Sequence, residues 1–577
     1  MKSVPRPEYP NPIFERENWQ NLNGEWDFEI DFGNSGEERG LFRDSVKLSD
    51  KIIVPFCPES TLSGIGYTDF MKSVWYKRTI TVTKNQLKDL VFLHFGAVDF
   101  FTTVYVNEKK AGTHYGGYSS FSFDITKFLK DGDNTITVHA VDDTRSPMQA
   151  RGKQSEQYYS HACDYTRTTG IWQTVFLEFV PKTYIKSVRY YPNIHTSSVL
   201  IEAELSGDGV FEAAAFFNGE KVGFASASSS FGNCVYCTLT LSKTHLWELS
   251  SGCLYDLELK FGKDKVKSYF GLREVKLSEG KFMLNGKSTF MRLVLDQGFY
   301  PDGIYTAASD EALIRDIELS MSVGFNGARL HQKIFEPRFL YHCDRLGYMV
   351  WGEHGNWGMD ISDYNSLKYF LPEWLSALKR DFNHPAIIGW CPFNETWDYN
   401  GKRQDNDIIH TVYKATKAYD KTRPCIDTSG NYHVETDIYD VHDYNQDPKT
   451  FTQNYNKLMT SGELFDRVSL SDSTRQVYGG EPVFISEYGG IKWSAENSNS
   501  NAWGYGDAPK TKKEFLSRYE GLTNAILDND KIIGFCYTQL TDVEQEQNGI
   551  FTYDRKPKFD SKVLKEINSR KALIEKT

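Results

Sequence analysis

Between residues 289 and 538, eight short apolar runs alternate with segments of helical periodicity, and that alternation limits the fold more than any other feature. The runs are 289–295, 325–330, 348–351, 386–393, 425–427, 438–441, 482–489 and 532–538. They lack the polar alternation of half-exposed strands, so they read as parallel strands covered on both faces. Between the first two, Ser309 or Asp310 can cap a helix whose apolar face is Leu313, Ile314, Ile317 and Met321, with Gly324 as its stop. A second helix follows Pro337 and a third occupies 371–383. Such a series over residues 278–577 has the size and period of a (β/α)8 TIM barrel.

Two of the runs end in carboxylates. Ala386-Ile387-Ile388-Gly389-Trp390-Cys391-Pro392-Phe393 leads into Asn394-Glu395, and Pro482-Val483-Phe484-Ile485-Ser486 into Glu487-Tyr488-Gly489-Gly490. In a barrel of this kind the C-terminal strand ends form the active face, so Glu395 on strand four and Glu487 on strand seven should meet across one substrate. Cleavage of a glycosidic bond needs such a pair, one carboxyl to protonate the leaving oxygen and one to attack the anomeric carbon; retention asks for a separation of about 5–5.5 Å. Trp390, Phe393 and Trp397 should partly desolvate Glu395, raising its pKa and suiting it to acid/base work. Glu487 is then the nucleophile, with Tyr444 a candidate hydrogen-bond donor to it and Asn394 placed for the sugar 2-hydroxyl. The rival reading is two strand-end carboxylates in ordinary ion pairs.

Upstream the text is all β. Alternating runs from Trp19 to about residue 181, separated by Gly, Asn and Asp turns, indicate a jelly-roll sandwich over residues 1–181. Residues 182–277 fit an immunoglobulin-like sandwich that acts as a spacer. The polar stretch 142–169 interrupts the first sandwich, and loops of that length usually bind something or are disordered.

Composition excludes several functions. A net charge of −11 with no basic cluster argues against nucleic acid. No run approaches the roughly 20 apolar residues of a membrane span, and Met1 to Glu8 has no apolar signal core, so no membrane partner and a cytoplasmic location are expected. An odd number of cysteines, nine, mostly within strand-like runs, fits small buried hydrophobes in a reducing compartment. Cys234 and Cys237 form a C-x-x-C without partner ligands; no metal and no cofactor are expected.

Arg380-Asp381-Phe382-Asn383-His384-Pro385 before the first glutamate run, with Asn394-Glu395 at its end, resembles the acid/base signature of glycoside hydrolase family 2, whose members include β-galactosidases, β-glucuronidases and β-mannosidases. Ser486-Glu487-Tyr488-Gly489-Gly490 is similar to its nucleophile segment, and Gly324-Phe325-Asn326-Gly327-Ala328-Arg329 to its strand-two motif, where the arginine supports the nucleophile. Residues 19–26 and 169–173 look like the borders of its sugar-binding jelly roll. The resemblance implies a retaining exo-glycosidase acting on a small carbohydrate or glycoside, in a family whose members are often homo-oligomers. It also implies that Asp164, in the irregular loop, reaches the barrel mouth to hold the terminal sugar.

The chain departs from the family's substrate motifs. Arg292 to Gly298, with Asp296 and Gln297, stands where β-galactosidases carry Arg-His-Glu after strand one, Leu330-His331-Gln332-Lys333 replaces their strand-two ending, and Gln545 to Ile550 lacks the Asn-x-Lys by which β-glucuronidases hold a carboxylate. Tyr537 takes the place of the strand-eight tryptophan platform, and Glu353 and His354 fall outside the family's metal spacing. Candidates for the substrate shell are therefore Arg329, His331, Asp296 and Trp351, with Lys333 as another route to a uronic acid. The acidic string from Asp542 to Glu546 either lines the sugar site or is a solvated loop. A β-galactoside is the leading substrate; a β-hexuronoside, an arabinoside of plant glycans, and a silent carbohydrate-binding protein are the alternatives.

Overall fold

The eight runs close into a barrel. In the computed structural model, which describes residues 4–229, 232–396, 398–399, 402–465, 473–494 and 501–576, seven parallel strands are hydrogen-bonded in the order fourth, third, second, first, eighth, seventh, sixth. The first four are Met291–Asp296, Gly327–Leu330, Met349–Glu353 and Ile387–Cys391, and the last three are Tyr439–Asp443, Val483–Gly489 and Ile532–Thr538. The fifth wall is irregular. Trp390 N–H donates to Pro424 O and Ile426 N–H to Trp390 O, after which Asn394 pairs in parallel with Ser429 and Asn431 N–H donates to Asp440 O. These contacts join strand four to strand six through a kinked segment rather than the simple strand expected at 425–427.

Helices Asp310–Ser322, Pro337–Leu346, Leu367–Asp381, Asn406–Tyr419, Pro448–Thr460, Lys512–Leu527 and Ser561–Asn568 wrap the outside. Local chemistry sets their ends. Asp405, Thr511 and Asp560 accept backbone N–H groups at their N-termini, and Gly347 supplies a left-handed C-cap. With helices outside and packed side chains inside, the strands are apolar on both faces, which is why they read as unbroken runs.

Upstream lie two β-sandwiches with separate cores. The first pairs a six-stranded with a four-stranded sheet around residues such as Trp26, Tyr76, Leu93 and Val138. The second packs three strands against four around Ile201, Tyr255 and Phe261. In the second, Cys234 is exposed and Cys237 buried, on opposite faces of one strand, so the C-x-x-C does not converge on an ion.

Buried polar contacts lock these units to each other and to the barrel. Arg16 bonds Asp264 of the second sandwich and Glu178 of the first. Glu373, on helix Leu367–Asp381, accepts N–H groups from Tyr118 and Ser119 and stands 3.3 Å from His354. No helix among the described residues is long and apolar enough to cross a membrane.

Trp351 lies inside the barrel, 1% exposed, its ring stacked toward Phe484 and filling the space a side chain at Gly389 would need. A Cβ at Gly389 would stand 2.2 Å from that ring. Gly389→Ala should therefore lower stability by about 1–3 kcal/mol through overpacking, read as a lower midpoint in thermal or urea unfolding. An unchanged midpoint would contradict this packing.

Candidate active site

Four walls of the barrel mouth meet at Arg329, the third residue of strand two. Its guanidinium, 1% exposed, donates through Nε to Glu353 at 2.6 Å, through Nη1 to Ser486 O at 2.9 Å and Glu487 Oε1 at 3.2 Å, and through Nη2 to Asn394 Oδ1 at 3.1 Å. Burial pushes the Glu353 carboxyl up to about 7, against the pull of Arg329. Glu487 gains a second donor in the Tyr444 hydroxyl, whose ring lies on Tyr505 with centroids 3.4 Å apart.

Glu395 closes its run in left-handed backbone, φ 50°, held by its N–H to Ser429 O at 2.9 Å. Non-glycine residues seldom adopt this conformation, and such outliers gather at functional sites. Glu395 Oε1 receives Nδ1 of His442 at 2.8 Å, and the same nitrogen is 3.4 Å from Glu487 Oε2. One carboxylate oxygen of each glutamate and a nitrogen of His442 lie within 4.8 Å of one another. Burial works to raise the Glu395 pKa, but the hydrogen bond and charge of His442, with Lys153 and Arg329 nearby, outweigh it and hold the carboxyl below its usual range. Burial opposes the charge of His442 as well, yet Glu487 and Glu395 hold that imidazole above its ordinary value.

Asn394, 1% exposed, leaves its Nδ2 without a hydrogen-bond partner among the described residues. His331 stands between Glu353 and Glu487, 3.6 and 3.8 Å from their oxygens, with burial holding it neutral. Trp357 faces His331 and donates from its indole to Asn394 O.

The loop 142–169 completes the mouth. Arg151 and Gly152 N–H groups donate to Trp357 O, Tyr165 hydroxyl to Glu546, and Thr166 N–H to Glu544. Asp164 pairs with Arg151 at 2.5 Å, and its carbonyl receives Gln545. Between this loop, Trp357 and Glu395 lies a cavity of about 410 Å³. Two groups here have metal-ligand side chains, Glu156 with His161 and Asp164, and Glu395 with His442 and Glu487. An ion in the first group would have to displace Arg151, and one in the second the proton between Glu395 and His442.

Residues 19–181 match the profile of the glycosyl hydrolases family 2 sugar binding domain, and residues 275–572 that of the family's TIM barrel domain. The chain belongs to glycosyl hydrolase family 2. A putative beta-glucuronidase of Formosa agariphila is 26% identical over 71% of this chain, which spans 51% of that relative's length. The beta-glucuronidase of Mus musculus is 24% identical over 94% of this chain and 90% of its own. The solved structure of a beta-glucuronidase from an uncultured Clostridium species is 21% identical, superposes with a TM-score of 0.78 and covers 96% and 98% of the two chains, a likeness of fold.

Within this family-2 framework the mouth gathers Glu395, Glu487, Asn394, Arg329, His331 and Tyr444, with Asp164 on the covering loop. Four expected residues lie elsewhere. Trp351 is barrel filling. Tyr537 is fully buried with its ring 4.9 Å from Tyr519 of helix Lys512–Leu527, so it points away from the mouth, and Thr538 next to it reaches Tyr444 at 3.0 Å. Lys333 donates to Gly298 O at 2.5 Å and Tyr305 O at 2.8 Å, anchoring the segment after strand one. Asp296 accepts from Gly298 N–H; burial and Asp316 push its carboxyl up to about 7, and it shares no hydrogen bond or ion pair with either glutamate among the described residues.

The expectation that burial would leave the Glu395 pKa raised is also corrected, because His442 with Lys153 and Arg329 outweighs it; Trp397 lies outside the described residues. The acidic string is neither a solvated loop nor free to hold sugar along its whole length. Asp542 pairs with Lys558, Glu544 receives Thr166 N–H and Glu546 the Tyr165 hydroxyl. Sequence reasoning missed His442, Tyr505 and Lys153. For His442 a signal existed, since it precedes Tyr444 by two and alternate residues of a strand share a face.

Behind the mouth His433 sits between Asp427 at 2.8 Å and Asp440 at 3.1 Å. Burial alone would lower its pKa, but the two carboxylates push it up to about 10. A histidine raised above its unfolded value of about 6.5 stabilises fully below that pH, and the contribution is lost as pH rises through the folded value. The gap in melting temperature between wild type and His433→Gln should therefore shrink from pH 6.5 to pH 10. A gap constant over that range would contradict the ion cluster.

Proposed function

We propose that the chain is a retaining exo-β-glycosidase that releases terminal hexuronic acid residues, with Glu487 as nucleophile and Glu395 as acid and then base. The approach of one oxygen of each carboxylate to within 4.8 Å supports retention, since the carboxyl groups of an inverting pair stand about 6.5–9.5 Å apart to admit a water.

The roles follow from the partners. Glu487 is positioned from both sides, by Arg329 on Oε1 and Tyr444 on Oε2, which suits in-line attack on the anomeric carbon. Glu395 and His442 share a proton across 2.8 Å. When the glycosidic bond breaks, that proton goes through Glu395 to the leaving oxygen while Glu487 forms the glycosyl ester. Esterification removes the charge of Glu487, which with Glu395 and Asp440 favours the imidazolium. In the second half Glu395 takes a proton from water, the hydroxide displaces Glu487, and the pair regains its proton. The unpartnered Nδ2 of Asn394 is a donor for a sugar hydroxyl, and its worth grows as charge develops on the ring.

The hexuronoside takes the place of the β-galactoside expected first. It is supported by the beta-glucuronidase names of the relatives along with the cationic groups around the mouth, and the missing Asn-x-Lys leaves the carboxylate's receptor to be found elsewhere.

Proton NMR of nitrophenyl β-D-glucuronide or β-D-galacturonide hydrolysis should show the β-anomer of the free sugar first. The α-anomer appearing first would refute retention. Glu395→Gln should lower kcat by about 10²–10⁴-fold on a substrate with a poor leaving group, as loss of general acid catalysis does. Turnover of nitrophenyl β-D-galactoside and of neither uronoside would reject the substrate class while leaving the carboxylate roles intact.

A further inference from the structure

Lys153 is the third residue of the segment Arg151-Gly152-Lys153 that docks on Trp357, and it is 5% exposed. Its main chain is pinned on both sides. Arg151 and Gly152 donate to Trp357 O, and Tyr165 N–H donates to Lys153 O at 2.7 Å. A Cβ at Gly152 would stand 2.5 Å from Gln332 O, so the approach depends on glycine at φ 59°. The side chain is therefore placed by the fold. Its Nζ stands 4.5 Å from the centre of the Trp357 ring and 5.8 Å from that of Tyr165. The Trp357 indole is in turn bonded to Asn394 O, which ties the ammonium to the end of the strand that carries Glu395.

This ammonium makes no hydrogen bond or salt bridge among the described residues, an unfavourable condition for a cation on a largely buried side chain. Burial works against its charge. Cys163, Glu546, Asp164 and Glu487 raise its pKa above the usual lysine value. Cys163 is itself a neutral thiol, pushed up to about 12, so the carboxylates carry the effect. Each of those carboxylates already has its own partner: Arg329 and Tyr444 for Glu487, Arg151 for Asp164, Tyr165 and Asn548 for Glu546. The acids keep Lys153 charged without using its N–H groups. The neighbouring lysines are engaged, Lys333 by two carbonyls and Lys558 by Asp542.

We propose that Lys153 is the specificity-determining residue of this site: its unpartnered ammonium, between the Trp357 and Tyr165 rings at the mouth, receives the carboxylate of a terminal hexuronic acid. This rests on the hexuronoside reading and adds the residue that recognises the charge. A lysine from the jelly-roll loop then supplies what the segment after strand eight does not. A bound carboxylate satisfies the ammonium's donors, and the surrounding acids disfavour any anion that cannot also leave them their own partners. The alternative role for the same charge is a through-space field that tunes Glu487 and Glu395 without touching substrate.

These roles separate on a substrate pair. Steady-state kcat/KM is measured for nitrophenyl β-D-glucuronide and for its uncharged methyl ester, in wild type, Lys153→Met and Lys153→Arg. Wild type should prefer the acid, and the acid-to-ester ratio should fall on the order of 10²-fold in Lys153→Met, with Lys153→Arg in between. Because the ratio is taken within one protein, a partial folding defect cancels from it; Lys153→Gln gives the same comparison if the Met variant does not fold. An unchanged ratio with full uronoside activity overturns the role of Lys153 alone. Equal losses on acid and ester, with a displaced pH profile, identify the field and also overturn it. Wild type that cleaves neutral hexosides but no uronoside overturns the substrate reading and this inference together.

Discussion

The buried guanidinium of Arg329 is the interaction on which the site depends. It joins strand two to strand three through Glu353, to strand seven through Ser486 O and Glu487, and to strand four through Asn394. Removing one partner from a buried ion pair costs about 3–5 kcal/mol, because the remaining charge is left uncompensated. Here the loss would be compounded: Glu353 and Glu487 would face each other without the positive charge between them, and Asn394 would lose the bond that orients its amide. The planar fork of arginine can serve three walls at fixed angles, which a lysine cannot. The proposed catalytic geometry and barrel closure thus rest on the same set of bonds.

A second constraint comes from outside the barrel. The jelly-roll loop 142–169 closes one side of the mouth through Trp357, Glu544 and Glu546, and brings Arg151, Lys153 and Asp164 with it. A mouth walled in this way suits the end of a glycan chain better than its middle. It also builds the first domain into the mouth, so that, on the proposed reading, the contacts that dock the loop act on specificity as well as stability.

The barrel was legible because its strands are buried on both faces and its helices carry their own caps; the kink in the fifth wall was not, since it arises from bonds between Trp390 and residues 424–426 made only on closure. The glutamates were legible because apolar runs end abruptly in them. Side-chain direction was harder. Tyr537 and Thr538 are neighbours, and only the pleat decides that the ring meets helix Lys512–Leu527 while the hydroxyl meets Tyr444. The state of Glu395 depends on His442, two walls away, a pairing that local sequence does not reveal. Lys153, in an irregular loop, looks like any surface lysine until the loop docks.

The most direct test of the central claim is to trap the intermediate. Incubation with a 2-deoxy-2-fluoro-β-D-glucuronosyl fluoride, followed by proteolysis and mass spectrometry, should place one fluorosugar on the peptide that carries Glu487, as an ester to its side chain. Label on Glu395, or turnover without any covalent adduct on Glu487, would contradict the assignment.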